Sequence, residues 1–269
     1  MSRRPKPHTP GEPPALWSLP HSEAVWNVHA AQREKSAVHV IGWHWPTYAE
    51  LLTQHVDELS IEERHRANRC VLPTNRKRFI TCRVVLRLIL AEWMGIEPHS
   101  VTFAYQRQGK PYLQPETHPR AVHFSLAHAG DWGILALRER GEIGVDVERH
   151  EQRTALQPDT VALVRGWFAS EEFEQWLSLP ISWQTTAFYR LWTGKEACLK
   201  MLGWGLNRGM KQPVLCADPR RPWRVLDSQG TSIRADAWQL HPLPVAADYT
   251  AAVAWLGTNQ PVRLWIWHG

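Results

Sequence analysis

GVDVE, residues 144 to 148, reads as a short strand in which Val145 and Val147 point one way and Asp146 and Glu148 the other. Strand residues two apart share a face, so the two carboxylates stand side by side, about 7 Å apart along the chain. A solvated sheet face is the ordinary setting for such a pair. Whether that setting applies here depends on what else in the chain meets the same face.

The chain has 269 residues and 43% hydrophobic content, enough for one large domain or two of ordinary size with real cores. Its four cysteines, Cys70, Cys82, Cys198 and Cys216, lie far apart without C-x-x-C spacing, so neither a zinc site nor a disulfide framework is signalled. They suit buried thiols in a reducing cytosol. Residues 1 to 22 begin basic and are rich in proline, with no apolar core for a signal peptide, and are expected to form a disordered tail. The most apolar run, VVLRLILAEWMGI, is interrupted by Arg87 and Glu92, so no membrane span is expected and the protein should be soluble and cytoplasmic.

The net charge of +5 is unevenly spread. Residues 62 to 110 hold ten Arg or Lys against four Glu, more than the whole excess. Such a segment suits nucleic acid, an acidic protein or a polyphosphate ligand, although a charge run without other support is usually a solvated helix face. Sixteen Trp allow nucleic-acid stacking, but most lie in apolar patterns and no nucleic-acid-binding motif accompanies the basic segment. No nucleic-acid partner is expected.

Periodicity predicts a strand over 38–45, helices over 47–57, 60–70 and 74–94, and strands over 100–105, 121–127 and 132–138. The strand EIGVDVE then opens a second series: helices over 158–168, 170–178 and 183–202, and strands over 223–227, 234–240, 249–256 and 262–267. In both series the long helix stops at a glycine, Gly95 or Gly203. The repeat of pattern predicts an α+β fold of two similar halves, 23–139 and 140–269, related by a pseudo-twofold axis.

The long helix of the second half carries LWTGKEACLK, residues 191 to 200. Trp192, Glu196 and Lys200 are four apart and share one helical face. Alone, Glu196 and Lys200 would be an i,i+4 ion pair worth a few tenths of a kcal/mol. Brought to Asp146 and Glu148, Glu196 would complete an oxygen site for Mg²⁺, which takes the rest of its shell from water and substrate phosphates. Lys200 would then stand one turn away, placed to hold a phosphate oxygen.

GVDVE followed by WTGKEACLK resembles the two-part signature of the 4′-phosphopantetheinyl transferase superfamily, G-[IV]-D-[IVL]-E and W-x-x-K-E-[AS]-x-x-K. GKPYL (109–113), VHFSLAHAGDWGILAL (122–137), WFASEEFEQW (167–176) and GWGL (203–206) match further family segments in the right order. The length fits the larger, monomeric Sfp-type branch. The resemblance implies transfer of 4′-phosphopantetheine from coenzyme A to a serine of an acyl, peptidyl or aryl carrier protein, with release of adenosine 3′,5′-bisphosphate. It places Mg²⁺ on Asp146, Glu148 and Glu196, and the coenzyme A phosphates on Lys200. Glu196 and Lys200 become the catalytic pair. Lys110 matches a basic residue near the pyrophosphate, His128 a ligand of the 3′-phosphate, and Arg78 an arginine at the nucleotide end.

Two positions depart from the family pattern. Ala127 stands where a hydroxyl is usual, and Phe79 where some relatives have threonine, with Arg83 as a candidate to compensate. The basic first half would meet the phosphates and the acidic helix of the carrier protein. The connection HEQRTALQ, 150 to 157, is a candidate docking rim or a plain solvated loop. The competing readings are a Mg²⁺-dependent nuclease or phosphohydrolase built on the same carboxylates, and a non-enzymatic binding module.

Overall fold

The two longest periodic runs, Pro73–Met94 and Ile181–Leu202, each fold as one helix of 22 residues. Pro73 at the first helical position and Pro180 at the N-cap sit where a missing N–H leaves no helical bond unmade. Gly95 and Gly203 end the helices at φ of 71° and 66°, the left-handed conformation that glycine adopts without steric cost. This computed structural model describes residues 24–114, 116–118, 122–150, 158–205, 210–229 and 231–269. The expected tail, residues 151–157 of the candidate docking connection and Leu206 of GWGL lie outside them.

In chain order the first elements are β1 (Ala24–Val25), α1 (Val28–Arg33), β2 (Val38–His44), α2 (Trp45–Leu52), α3 (Ile61–Asn68) and α4 (Pro73–Met94). A hairpin of β3 (Phe103–Tyr105) and β4 (Pro111–Leu113) precedes β5 (His123–Ala129), β6 (Trp132–Arg138) and β7 (Ile143–Arg149). Then come α5 (Pro158–Trp167), α6 (Ser170–Ser178), α7 (Ile181–Leu202), β8 (Val214–Leu215), β9 (Val225–Asp227), β10 (Trp238–Leu243), β11 (Tyr249–Leu256) and β12 (Val262–Ile266). One sheet runs β1-β12-β2-β6-β5 and a second runs β10-β11-β7. The fold is mixed α/β.

Alternation along the strands sorts the side chains into layers. Ile41, Trp43, Phe124 and Leu137 of the five-stranded sheet pack with α2 and α4. Val38, Val40, Ile134 and Ala136 on its other face meet Val145, Val147 and Val253 of the second sheet. The far face of that second sheet, with Ala252 and Ala254, carries Leu191, Ala197 and Leu199 of α7. Helix, sheet, sheet and helix thus stack with three apolar seams between them. Where the two sheets meet, the Val145 N–H donates to Ser125 Oγ at 3.1 Å, a bond within the core between β7 and β5.

Asp146 and Glu148 therefore face α7 rather than open water. Gly144 sets how closely the helix lies. A Cβ at 144 would stand 1.9 Å from the carbonyl oxygen of Ala197 and 2.5 Å from the amide nitrogen of Met201, distances no side chain can occupy. The helix backbone rests on the strand at the position two before Asp146.

Some expectations shift. The strand expected over 234–240 starts only at Trp238, because Ala235–Ala237 forms a 3₁₀ turn. The strand expected over 262–267 does not extend the sheet of β7: β12 pairs in parallel with β2 and adds to the first sheet. Periodicity locates a strand, and partner choice depends on which sheet has an open edge in space. β1, α1, β4 and β8 run from two to six residues, too short for a period to register.

Gly144→Ala should push α7 from β7, lowering stability by about 1–3 kcal/mol through overpacking. Denaturant midpoints read the loss. Ala at the neighbouring Val145 makes a cavity instead, so its midpoint should fall without separating helix from strand.

Candidate active site

On the face beneath α7, Asp146 is buried, at 4% exposure, and accepts a hydrogen bond from Lys200 Nζ to Oδ1 at 2.5 Å. Its second oxygen, Oδ2, is buried without a hydrogen-bond partner. Glu148 Oε1 accepts from the indole N–H of Trp192 at 3.1 Å. The i,i+4 spacing of Trp192, Glu196 and Lys200 thus brings an indole onto Glu148 and an ammonium onto Asp146, with Glu196 lining the same cleft between them.

The electrostatics show how close these groups stand. Burial, then the neighbouring Asp146, pushes Glu148 up to about 7, Glu196 adding in the same sense against Trp192 and Lys200. Burial and Asp146 also raise Glu196, and burial raises Asp146 despite Lys200. Burial alone would lower Lys200, but Asp146, Glu196 and Glu148 outweigh it and hold its ammonium above the usual lysine value. Three carboxylates share one lysine, an excess of negative charge that water only partly reaches.

These groups floor a cleft of about 590 Å³. Phe124 to His128 of β5 form one wall, and Gln108, Gly109 and Lys110 of the β3–β4 turn form another. Arg66, Phe79 and Arg83 close the far end, and Trp204 and Gly205 the rim beyond α7. Arg66 and Arg83 flank the Phe79 ring, at 5.5 and 5.7 Å from its centroid.

The sequence-derived residues fall as follows. Asp146, Glu148, Glu196, Lys200, Lys110 and His128 all line the cleft. Lys110 is tied to Glu142 at 2.7 Å, and the Arg83 Nε pairs with buried Glu63 at 3.3 Å. Ala127 is buried in the seam between the sheets and also borders the cleft. Arg78 does not line the cleft: its guanidinium donates to Asn75 Oδ1 at 3.3 Å. It still acts on His128, whose imidazole is lowered by desolvation, then by Arg78, with Lys200 and Arg66 adding to it. Sequence reasoning did not single out Arg66 or Gln108. Arg66 was one cation among ten, and Gln108 sits in a turn without periodicity.

Whether the carboxylates suit a divalent ion can be judged from the donors. Among the described residues no group of three His, Cys, Asp or Glu side chains is placed to hold one, and the Lys200 ammonium stands on Asp146 Oδ1. The donor set nonetheless fits a hard cation: all-oxygen, in excess negative charge, with Asp146 Oδ2 unpartnered. An ion that keeps several waters and takes phosphate oxygens needs no complete protein cage.

Two family models match the chain. Residues 142–254 match the 4′-phosphopantetheinyl transferase superfamily, and 43–140 match the N-terminal 4′-phosphopantetheinyl transferase region. HetI, a 4′-phosphopantetheinyl transferase of Nostoc, is 32% identical over 77% of this chain and 82% of its own. The chain belongs to the 4′-phosphopantetheinyl transferase superfamily. A Synechocystis protein that carries the transferase name provisionally is 35% identical over 81% of this chain and 87% of its own. A phosphopantetheinyl transferase of Thraustochytrium is 28% identical over 81% and 80%. None of these relatives points to a nuclease or phosphohydrolase. The two transferase models meet at Gly141, directly before the strand that carries Asp146 and Glu148. Among the described residues of this superfamily member no helix is long and apolar enough to cross a membrane.

The crowding of this transferase's carboxylates has a measurable sign. Glu148 binds its proton more tightly in the fold, at about 7 against an ordinary 4.5, so its contribution to stability is full below pH 4.5 and is lost as pH rises through 7. Without metal, the parent should lose on the order of 1–3 kcal/mol over that window relative to Glu148→Gln, which has no proton to lose there. Denaturant midpoints in chelator from pH 5 to 8 make the comparison. Parallel curves for the two proteins would show that Glu148 does not feel its neighbours.

Proposed function

We propose that the protein transfers 4′-phosphopantetheine from coenzyme A to the serine hydroxyl of an apo acyl, peptidyl or aryl carrier protein, releasing adenosine 3′,5′-bisphosphate. The observation that carries the proposal is the meeting of Asp146, Glu148, Glu196 and Lys200 on the floor of one cleft whose walls supply Lys110, Arg66 and His128. Phosphoryl transfer of this kind needs alignment and charge neutralisation more than covalent help from the protein.

Asp146, Glu148 and Glu196 would hold Mg²⁺, which would supply positive charge to neutralise the donor's pyrophosphate. Glu196, raised above the ordinary carboxylate range, takes the proton of the attacking serine. Lys200 meets the charge that grows on the leaving phosphate, and Lys110 holds the donor's pyrophosphate equally before and during transfer. His128 and Arg78 serve the 3′-phosphate, with the Arg78 side chain turning from Asn75 to do so. The phosphopantetheine moves by one P–O bond forming at the serine oxygen and one breaking to the adenosine bisphosphate, which leaves with the electron pair.

The reading takes the halves 23–139 and 140–269 as related by a pseudo-twofold axis, with the cleft between them. Support comes from the 22-residue helices α4 and α7, each covering one sheet and each ending at a left-handed glycine. It takes the enzyme as a cytoplasmic monomer whose basic first half faces the acidic helix of the carrier, with no nucleic-acid or membrane partner.

Apo carriers from several biosynthetic types, incubated with the protein, coenzyme A and Mg²⁺, should gain one phosphopantetheine each by mass spectrometry. Glu196→Gln should slow single-turnover transfer by about 100-fold or more, the scale of a lost general base. A mass gain on no carrier, beside an authentic transferase that succeeds, would contradict the proposal.

A further inference from the structure

A lysine on the tip of a hairpin is a weak anchor for a ligand, since ordering its long side chain costs rotamer entropy. Lys110 is already ordered. Its ammonium donates to Glu142 Oε2 at 2.7 Å and to the Ile143 carbonyl at 3.1 Å, and its side chain is only 11% exposed. With two of three N–H groups engaged, one remains for the cleft that Lys110 lines.

Glu142 is held in its turn. His123 Nδ1 lies 3.2 Å from Oε1, so the carboxylate joins β5, the β3–β4 turn and the start of β7. Burial would raise its pKa, but His123 and Lys110 outweigh burial and bring it down to about 2, so the carboxylate stays charged at any ordinary pH. The turn is clamped from the other side as well. A Cβ at Gly203 would stand 1.9 Å from Gln106 Oε1, and one at Gly205 2.8 Å from Gln108 Oε1. The turn therefore lies directly against the end of the helix that carries Lys200, and the Gln106 N–H closes it on the Lys110 carbonyl at 2.9 Å.

We infer that Glu142 is a positioning residue: it holds the Lys110 ammonium at the cleft, so that the donor's diphosphate is gripped through a carboxylate that does not touch it. This rests on the reading of Lys110 as a donor contact. A purely neutralising Glu142 would act in the opposite sense, since its removal would free a cation and tighten the binding of an anionic donor.

The test is a double-mutant cycle on the full-length enzyme with coenzyme A and one apo carrier. Lys110→Ala and Glu142→Ala should each raise the KM for coenzyme A, Glu142→Ala by about fivefold to twentyfold, with kcat within about twofold, as a lost charged hydrogen bond would. The double variant should be no worse than Lys110→Ala alone, and Glu142→Asp should recover part of the loss. Should Glu142→Ala not fold, as judged by its thermal transition without coenzyme A, the isosteric Glu142→Gln takes its place in the same cycle. An unchanged or lower KM in the Glu142 variant, or losses that multiply in the double variant, would overturn the inference while leaving Lys110 a donor contact. An unchanged KM in Lys110→Ala would overturn the reading of Lys110 and the inference with it.

Discussion

The site depends on the backbone contact between α7 and β7 at Gly144. With no side chain there, the Ala197 carbonyl and the Met201 amide come within a distance that any Cβ would block. That approach turns two spacings in the sequence into one constellation. The period of two along β7 puts Asp146 and Glu148 on the helix side, and the period of four along α7 puts Trp192, Glu196 and Lys200 on the strand side. Were the helix an ångström or two further out, the Lys200–Asp146 and Trp192–Glu148 bonds would both be lost.

The contact has an electrostatic consequence. It collects three carboxylates around one ammonium in a half-enclosed place, so that Glu148 is held near 7 and the whole group carries unrelieved negative charge. Such an arrangement does not favour the fold, and the apolar seams on both sides of the second sheet offset it. Like charges crowd at the cleft floor, whereas Glu63 with Arg83 and Arg87, and Glu172 with Lys195, are buried charges with partners of opposite sign. Those pairs join elements. The cluster at Asp146 faces the cleft.

Much of this was legible in the sequence, for reasons that differ by residue. Val145 and Val147 alternate with Asp146 and Glu148, and Glu196 and Lys200 keep helical spacing, so each local face follows from a period. That the two faces meet was legible only through the resemblance of the joined motifs, since no spacing states that Gly144 lies under Ala197. β12 shows the same limit, its strand character plain and its pairing with β2 hidden. Arg78 belongs to the recognisable run RKRF, yet its guanidinium meets Asn75 on its own helix and not the cleft. Glu142 lies just before β7, outside GVDVE, and its meaning depends on Lys110, 32 residues away.

The proposed function requires Asp146, Glu148 and Glu196 to hold a divalent ion against the donor's phosphates. Binding of Mn²⁺ in place of Mg²⁺, followed by electron paramagnetic resonance with coenzyme A present, tests it most directly. The account predicts one tightly held ion per chain in the parent and none in a folded Asp146→Asn variant. The same ion bound with the same affinity by that variant would contradict it.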